Sequence, residues 1–396
     1  MKVVIAPDSF KGSVSAPEIC KLVKKGILNV FPDAQVSEIP LADGGEGTME
    51  NMVYSTNGSI TTVNVSDPLG RNIMAGYGIL GDKETVIIEM AQASGLPLVT
   101  DEEKNPLITT SYGTGELIKH AIDEGYREFI IGLGGSATND GGTGMLRALG
   151  VKFYNALGKE LIDGGEDLIN LAYIDETGIH PKLKDCNFII ASDVVNKLCG
   201  KEGASAVFGP QKGATPQMVD VLDQALYHFS EIVLKQKSSN MRNLEGGGAA
   251  GGLGAALITF LKAELKSGIS VVMDAILFEE QVNNANLLIT GEGRLDSQTL
   301  SGKVIAGVTK VTNKYNIPTF ALCGGLELNS SQINRLGLLS AFSIVPGPCT
   351  VQTAIENAPE WIEERTVQIM NIIKVFLDSE SQHYGGKRNE AKNIHY

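Results

Sequence analysis

The charged residues best placed for chemistry follow predicted strands, where α/β proteins carry their sites. Asp193 follows an apolar strand predicted over 187–191 and could act as a general base or a Mg²⁺ ligand. Lys11 stands beside Asp8 and Ser9 after the first predicted strand and could hold a phosphate or a carboxylate. The alternatives are that Asp193 caps a turn and that Lys11 is a solvated surface lysine.

Further carboxylates occur in two other segments that follow predicted strands. Arg294 lies between Glu292 and Asp296, so its planar guanidinium could bind a small carboxylate or phosphate, or could belong to a surface ion-pair cluster. Asp43 and Glu46 lie in a glycine-rich loop, where they could serve a site or simply cap the next helix.

Dense glycine loops could cradle phosphate groups. The clearest, 132–144, follows a buried strand predicted over 129–131 and precedes a short predicted helix. This order points backbone N–H groups and a helix N-terminus at a bound anion, although a tight structural turn is the alternative. The residues that we assign to phosphate binding are Gly134, Gly135, Ser136, Asn139, Gly248, Gly251 and Gly252.

The glycine loops do not match the common nucleotide motifs in full. The P-loop pattern GxxxxGK[ST] is absent. The stretch 246–251 has the letters GxGxxG, but it follows a polar segment and no suitable acid lies about twenty residues later. The stretch 132–137 follows a strand, but its next acid, Asp140, is too close. Carboxylates, single cations and glycine loops without a histidine or cysteine constellation therefore predict phosphoryl transfer by a nucleotide-dependent kinase or related enzyme.

Composition limits the class of protein. The chain has 396 residues, 43% of them hydrophobic, and no apolar run approaching about twenty residues, which favours a soluble protein of two domains. The formal charge of −13 argues against a nucleic-acid partner. Five scattered cysteines without C-x-x-C spacing, and an N-terminus without a recognisable signal peptide, predict a cytoplasmic location.

Strands and helices alternate at both ends of the chain, in the manner of a doubly wound α/β fold. From residue 60, short β segments follow one another without intervening helices, and the late segments resemble the opening ones in texture. We therefore predict a discontinuous α/β domain with a second α/β domain inserted, and a flexible tail. The predicted bounds are 1–60 with 285–377, then 61–284, and 380–396 for the tail.

Sequence blocks spread in order over residues 1–377 are similar to the signature blocks of one enzyme family. They are 6–13, 42–48, 132–142, 207–214, 248–254, 289–299, 301–303 and 342–348. Together they resemble the bacterial glycerate kinase family, glycerate 2-kinase type. The chain departs from the usual pattern at Lys197, where the family has proline, and at 323–325, where Cys-Gly-Gly replaces Ala-Gly-Ser.

This resemblance implies phosphorylation of D-glycerate by ATP with Mg²⁺, with 2-phosphoglycerate the favoured product. It also implies two α/β domains, one of them flavodoxin-like (Rossmann-like) and discontinuous, with the active site in the cleft between them. No membrane or nucleic acid would be a partner, and a homodimer is an open alternative.

The roles that we take from the resemblance are hypotheses. Lys11 and Arg294 would bind the glycerate carboxylate or the transferred phosphoryl, with Asp8 and Ser9 beside them. Asp193 is the first choice of catalytic base. The remaining assignments are Asp296 as the second choice of base, the two glycine loops on the ATP phosphates, and Asp43, Glu46 and Glu292 as residues that line the cleft or hold Mg²⁺.

Two other functions stay open from the sequence. An NAD-dependent oxidoreductase of a small hydroxy acid would bind NAD(H) without needing Mg²⁺. A non-catalytic sensor would bind a sugar acid or a nucleotide without turnover. Acids and cations at so many predicted strand ends favour a catalyst.

Overall fold

The computed structural model describes residues 1–297, 299–301 and 304–390. It divides into two compact units, the first made of Met1–Leu41 with Leu277–Tyr396 and the second of Ala42–Ile276. The sequence-predicted boundaries lie later, after residues 60 and 284. The loop 42–48 and the helix that follows it therefore belong to the second unit.

The strands are numbered in chain order. They are β1 (Lys2–Pro7), β2 (Gln35–Glu38), β3 (Ser59–Ser66), β4 (Asn72–Ile79), β5 (Thr85–Glu89), β6 (Glu128–Gly132), β7 (Lys152–Asn155), β8 (Leu171–Asp175), β9 (Asn187–Ala191), β10 (Glu264–Lys266), β11 (Leu287–Leu295), β12 (Thr319–Leu326) and β13 (Ser340–Ser343).

The α-helices follow the same numbering. They are α1 (Ala16–Val30), α2 (Thr48–Thr56), α3 (Ala91–Ser94), α4 (Tyr112–Asp123), α5 (Thr143–Ala148), α6 (Ala204–Phe208), α7 (Pro216–Lys237), α8 (Leu253–Leu261), α9 (Gly268–Ala275), α10 (Phe278–Val282), α11 (Val304–Lys314), α12 (Ser330–Arg335) and α13 (Val351–Glu390). Short 3₁₀ segments occur at Leu96–Leu98, Glu166–Asn170, Pro181–Asp185, Pro210–Lys212, Met241–Asn243, Ala249–Gly252 and Thr299–Ser301.

The first unit is built on a parallel sheet in the order β2-β1-β11-β12-β13. Val3, Val4 and Ile5 of β1 are completely buried, as expected for a strand covered on both faces. β11 continues through Leu295, beyond the end predicted at residue 290, so Arg294 lies within the strand and not after it.

The second unit contains a six-stranded mixed sheet in the order β10-β9-β6-β5-β4-β3 and a separate antiparallel pair, β7 and β8. β5, β6, β9 and β10 are parallel, whereas β3 and β4 run antiparallel to their neighbours. The register aligns Glu89, Gly132 and Ala191, so three parallel strands end in one row. The predicted α/β class is confirmed.

The C-terminal helix α13 is longer than predicted. The sequence predicts a helix over 359–377, whereas α13 begins at Val351 and its backbone continues to Glu390. The predicted flexible tail ends in residues 391–396, which lie outside the described residues, and it stays a prediction. No helix among the described residues has the length and apolar character needed to cross a membrane.

The contact between α1 and α13 depends on a glycine. A Cβ atom at Gly26 would lie 2.8 Å from Thr366 Cβ and 2.9 Å from the carbonyl oxygen of Glu363. Helix propensity alone would favour alanine at this position by about 1 kcal/mol. The close packing of α13 on α1 therefore excludes alanine at this position, although alanine is the better helix former.

Gly26→Ala should lower the free energy of unfolding by about 1–3 kcal/mol, because overpacking outweighs the gain in propensity. The matched control is Asn29→Ala on the exposed side of α1, which should raise it by about 0.5 kcal/mol. Urea unfolding of both variants measures this. Equal stabilisation by the two substitutions would contradict the helix contact at Gly26.

Candidate active site

The strand order of the first unit reverses where β1 and β11 end. From β1 the chain moves outward to β2, and it later returns to β11 on the other side of β1, so the strand order reverses there. In open α/β sheets, ligands bind beyond the carboxyl ends of the strands at such a point. The segment 8–13 and the end of β11 both lie there, because Pro7 pairs with Gly291.

The segment after β1 is fixed by its backbone and presents an exposed cation. Asp8 donates its N–H to the Gly291 carbonyl at 2.8 Å, and its Oδ1 accepts from Ser9 N at 2.6 Å. Phe10 is buried beneath the segment. The Lys11 side chain is exposed, and its ammonium has no hydrogen bond or ion pair with any residue that the structure describes. Lys11 is therefore available to an anionic ligand.

Arg294 already has carboxylate partners. Its Nε lies 2.9 Å from Glu327 Oε1 and 3.7 Å from Asp296 Oδ2. The hydrogen bond that it donates to Glu327 raises the pKa of Arg294. This arrangement matches the ion-pair alternative, and a substrate anion would have to replace Glu327. Because exposed ion pairs contribute little to stability, replacing Glu327 would lose little free energy.

Glu292 is buried and bonded, unlike an open metal ligand. Its Oε1 accepts a hydrogen bond from Thr299 Oγ1. Thr299 Oγ1 also accepts from the backbone N–H of half-buried Asp296 at 3.2 Å. Burial, with the nearby Glu292 carboxylate, raises the pKa of Cys323 to about 12, so this thiol stays protonated near neutral pH. A metal role for Glu292 stays a prediction, and Gly302 and Lys303 of the signature block 301–303 lie outside the described residues.

The second unit places Asp193 at the carboxyl edge of its sheet. Asp193 is exposed, two residues beyond the end of β9, and its Oδ1 accepts from Gly268 N at 3.2 Å. Gly268 is the first residue of α9, so the N-terminus of that helix faces the Asp193 carboxylate. Asp193 thus has a fixed orientation and an exposed side chain.

The loop that carries Asp43 and Glu46 lies against the same edge. A Cβ atom at Gly268 would lie 1.8 Å from the Asp43 carbonyl oxygen, and one at Gly44 would lie 2.6 Å from the Ala191 carbonyl oxygen. Only glycine permits so close an approach of backbone to backbone. Asp43 and Asp193 are thereby brought to one place within the second unit.

The donor set at this edge fits Mg²⁺ held mainly by substrate. Magnesium usually binds one or two protein carboxylates together with substrate phosphates and water. Half-buried Asp43 accepts from Gly45 N at 3.3 Å, and Glu46 is exposed. Within the described part of the chain, no three histidine, cysteine, aspartate or glutamate side chains form a cluster that could hold a metal by themselves.

The first glycine loop is open only at its beginning. Gly134 is half-buried and Gly135 is exposed, whereas Ser136 and Asn139 are buried. Ser136 Oγ accepts a hydrogen bond from Lys212 Nζ at 2.8 Å, and Asn139 Nδ2 donates to Ser205 Oγ at 3.0 Å. Any phosphate would therefore meet the backbone near Gly134 and Gly135.

The second glycine loop packs beneath the first. A Cβ atom at Gly248 would lie 2.2 Å from the Lys197 carbonyl oxygen, and one at Gly251 would lie 2.1 Å from the Thr138 carbonyl oxygen. A Cβ atom at Gly252 would lie 2.8 Å from the Cα atom of Gly141. Backbone packing is thus a sufficient reason for these glycines, and their contact with phosphate stays a prediction.

The dinucleotide fingerprint at 246–251 lacks its structural context. The segment before it contains α7 and the 3₁₀ turn Met241–Asn243, where the fingerprint requires a strand. The NAD alternative therefore receives no support from this segment.

The sequence analysis missed three buried charged groups near the carboxyl edge of the sheet in the second unit. They are Glu89, Asp140 and Lys212. Glu89 could have been found as the last residue of a strand predicted over 85–89. Asp140 lies within the glycine loop, too near its start to be the acid that binds ribose in the dinucleotide motif. No other sequence pattern marks it. Lys212 lies inside the signature block 207–214 without any pattern that marks it as buried.

The carboxylates of Glu89 and Asp140 accept hydrogen bonds from backbone N–H groups at the starts of helices. Glu89 Oε1 accepts from Met49 N at 2.7 Å, in the first turn of α2. Burial raises the pKa of Glu89 to about 7, although its bonds to backbone N–H groups act in the opposite direction. Asp140 accepts from Ser111 Oγ at 2.7 Å and from Gly142 N at 2.9 Å, and burial raises its pKa as well.

Acids, single cations and an open glycine loop lie at the carboxyl edges of two α/β sheets, an arrangement that fits an enzyme of the phosphotransferase class. Comparison with known proteins gives the family. The model of the glycerate kinase family matches residues 3–374. The chain belongs to the glycerate kinase family.

Individual relatives are similar over nearly the whole chain. A glycerate kinase of Bacillus subtilis (strain 168) is 48% identical over 95% of this chain and 98% of its own. A glycerate 2-kinase of Escherichia coli (strain K12) is 48% identical over 90% of this chain and 94% of its own. A crystal structure of a candidate glycerate kinase 2 from Salmonella typhimurium LT2 superposes with a TM-score of 0.87 at 46% identity, covering 96% of this chain and 99% of that one.

The Glu89 carboxyl should make stability depend on pH. Its pKa in the folded protein, about 7, lies above its ordinary value of 4.5, so between these values the folded state binds more protons than the unfolded state. Its stabilising contribution is present at low pH and is lost as the pH rises through 7. Relative to Glu89→Gln, the wild type should lose about 2 kcal/mol of unfolding free energy between pH 5 and pH 7.

Urea unfolding at the two pH values measures this difference. The control is Glu102→Gln at an exposed position, which should follow the wild type at both pH values. A constant difference between Glu89→Gln and the wild type would contradict the proton-binding role of Glu89.

Proposed function

We propose that this member of the glycerate kinase family transfers the γ-phosphoryl group of ATP to O2 of D-glycerate, giving 2-phosphoglycerate and ADP. The observation that carries the proposal is family membership over 3–374, with a relative named glycerate 2-kinase at 48% identity. The exposed ammonium of Lys11 and the exposed carboxylate of Asp193 supply the chemistry that the reaction requires.

Asp193 is the proposed general base. An oxygen of the Asp193 carboxylate takes the proton of the glycerate hydroxyl. The hydroxyl oxygen forms a bond to the γ-phosphorus while the bond between the γ-phosphorus and the β–γ bridging oxygen breaks, which releases ADP. The hydrogen bond from Gly268 N to Oδ1 fixes the carboxylate. Asp296 is the second choice because it is half-buried and its side chain lies 3.7 Å from Arg294.

The first unit supplies the proposed binding of the small acid. Counted within this unit, the strand order is 2-1-3-4-5, which is the flavodoxin-like order, and it supports our assignment of a discontinuous flavodoxin-like domain. Lys11 binds the glycerate carboxylate or the transferred phosphoryl, with Asp8 and Ser9 shaping the segment. Arg294 joins them when the substrate replaces Glu327.

ATP is proposed to place its phosphates against the backbone at half-buried Gly134 and exposed Gly135. The other predicted phosphate-binding residues, Ser136, Asn139, Gly248, Gly251 and Gly252, complete the proposed ATP subsite, with Ser136 and Asn139 buried. When bound, Mg²⁺ neutralises charge on the phosphates, and Asp43 and Glu46 are the residues that would hold it. A cytoplasmic location and a homodimer stay predictions.

The purified protein with D-glycerate, ATP and Mg²⁺ should release ADP and form 2-phosphoglycerate. Phosphorus NMR of the same mixture distinguishes this product from 3-phosphoglycerate. Formation of 3-phosphoglycerate would contradict the assignment of O2. Binding of D-glycerate without turnover would support the sensor alternative, and reduction of NAD with D-glycerate would support the oxidoreductase alternative.

Asp193→Asn should lower kcat by about 10²–10⁴-fold, because the amide cannot accept the proton. Asparagine keeps an oxygen for the Gly268 N–H, so the fold should be retained, and circular dichroism checks this. Asp296→Asn is the matched variant and should lower kcat much less. Near-normal kcat in folded Asp193→Asn would reject Asp193 as the base, and a larger loss in Asp296→Asn would assign the base to Asp296.

A further inference from the structure

Lys212 is a buried lysine that directly contacts the candidate phosphate loop. Only 1% of the residue is exposed, although lysine is among the residues least often buried. Its Nζ donates to Ser136 Oγ at 2.8 Å and to the Thr138 carbonyl oxygen at 2.7 Å. Both acceptors lie within the three residues that follow exposed Gly135.

The backbone of Lys212 is itself firmly placed. The residue ends the 3₁₀ segment Pro210–Lys212, and Gly213 follows with a φ of +91°. A Cβ atom at Gly213 would lie 2.5 Å from the Lys104 carbonyl oxygen, so the turn packs directly against the segment that contains Lys104. The same stretch of chain contributes Ser205, whose hydroxyl accepts from Asn139 Nδ2. The loop 134–139 is therefore held at two points from one segment.

A buried ammonium group is a costly means of holding a loop. Burial lowers the pKa of Lys212 to about 7, even though the Asp140 carboxylate acts in the opposite direction. An apolar side chain of similar length would avoid this desolvation cost. Packing alone therefore does not explain why a lysine stands at this position.

We propose that Lys212 is a positioning residue for the ATP subsite, which fixes the backbone at 134–136 through Ser136 Oγ and the Thr138 carbonyl. The inference rests on the proposed function, because it assumes that this loop receives the ATP phosphates. Lys212 acts behind the loop and does not itself reach the phosphates. Its loss should weaken ATP binding and leave D-glycerate binding unchanged.

Lys212→Met is the first variant, since methionine fills a similar volume without the charge. The KM for ATP should rise about tenfold or more, because small displacements of positioning groups are costly, while the KM for D-glycerate stays within about twofold. Calorimetric titration with ATP, without D-glycerate, should show the same loss of affinity. Lys159→Met, an exposed lysine of the same unit, is the control and should leave both KM values unchanged.

Ser136→Ala removes one acceptor without emptying the space around Lys212, and it decides the matter if Lys212→Met does not fold. It should raise the KM for ATP by a smaller factor. The double variant should resemble Lys212→Met alone, because Lys212→Met already breaks the contact that Ser136→Ala removes. An unchanged ATP affinity in folded Lys212→Met or in Ser136→Ala would overturn the proposal. So would an equal rise in both KM values.

These outcomes are separable from failure of the proposed function. A wild-type protein that binds ATP but does not phosphorylate D-glycerate would contradict the function. Loss of ATP affinity in Lys212→Met would still support the positioning role. A wild-type enzyme that is active, with variants of normal ATP affinity, would leave the function standing and remove the role of Lys212.

Discussion

Close approach of backbone to backbone at the carboxyl edge of the second sheet is the constraint on which the candidate site depends. β5, β6 and β9 end in one row, and the loops beyond them must share a small space. At Gly268 and Gly251 even a methyl group would overlap a carbonyl oxygen of the next loop. Because no other residue fits there, the loop that carries Asp43, the open glycine loop and the Asp193 segment are held together by main chain.

This arrangement creates a need for buried polar partners. Loops packed so closely leave backbone N–H groups without water, and each one requires an acceptor. Glu89 supplies acceptors for the start of α2, and Asp140 does so at the starts of α4 and α5. Lys212 is the opposite case, because it donates to a carbonyl group and a hydroxyl group. Buried charges therefore hold the loops, whereas Lys11 and Asp193 are exposed.

The sequence was informative where local patterns decide structure. The strands at 85–89 and 187–191 have the predicted bounds, since both are apolar runs ended by a polar residue or a turn. It was less informative where glycine lies inside a strand. Gly291 and Gly293 suggested a turn, yet β11 continues because β12 pairs with it along this stretch. Arg294 is therefore displayed from a strand and meets Glu327, a partner 33 residues away that no local pattern reveals.

Burial is the other property that local sequence does not give. The same residue types that predicted a site, glycine, aspartate and lysine, fill both exposed and buried positions at this edge. Gly135 is exposed and Gly251 is buried, although both stand in similar glycine-rich stretches. Lys11 is exposed and Lys212 is enclosed, although both are lysines next to a glycine. The three-dimensional contacts show which member of each pair is exposed, where a ligand could reach it, and which is enclosed among its neighbours. If the exposed members bind a phosphoryl group as proposed, the enclosed ones must keep them fixed.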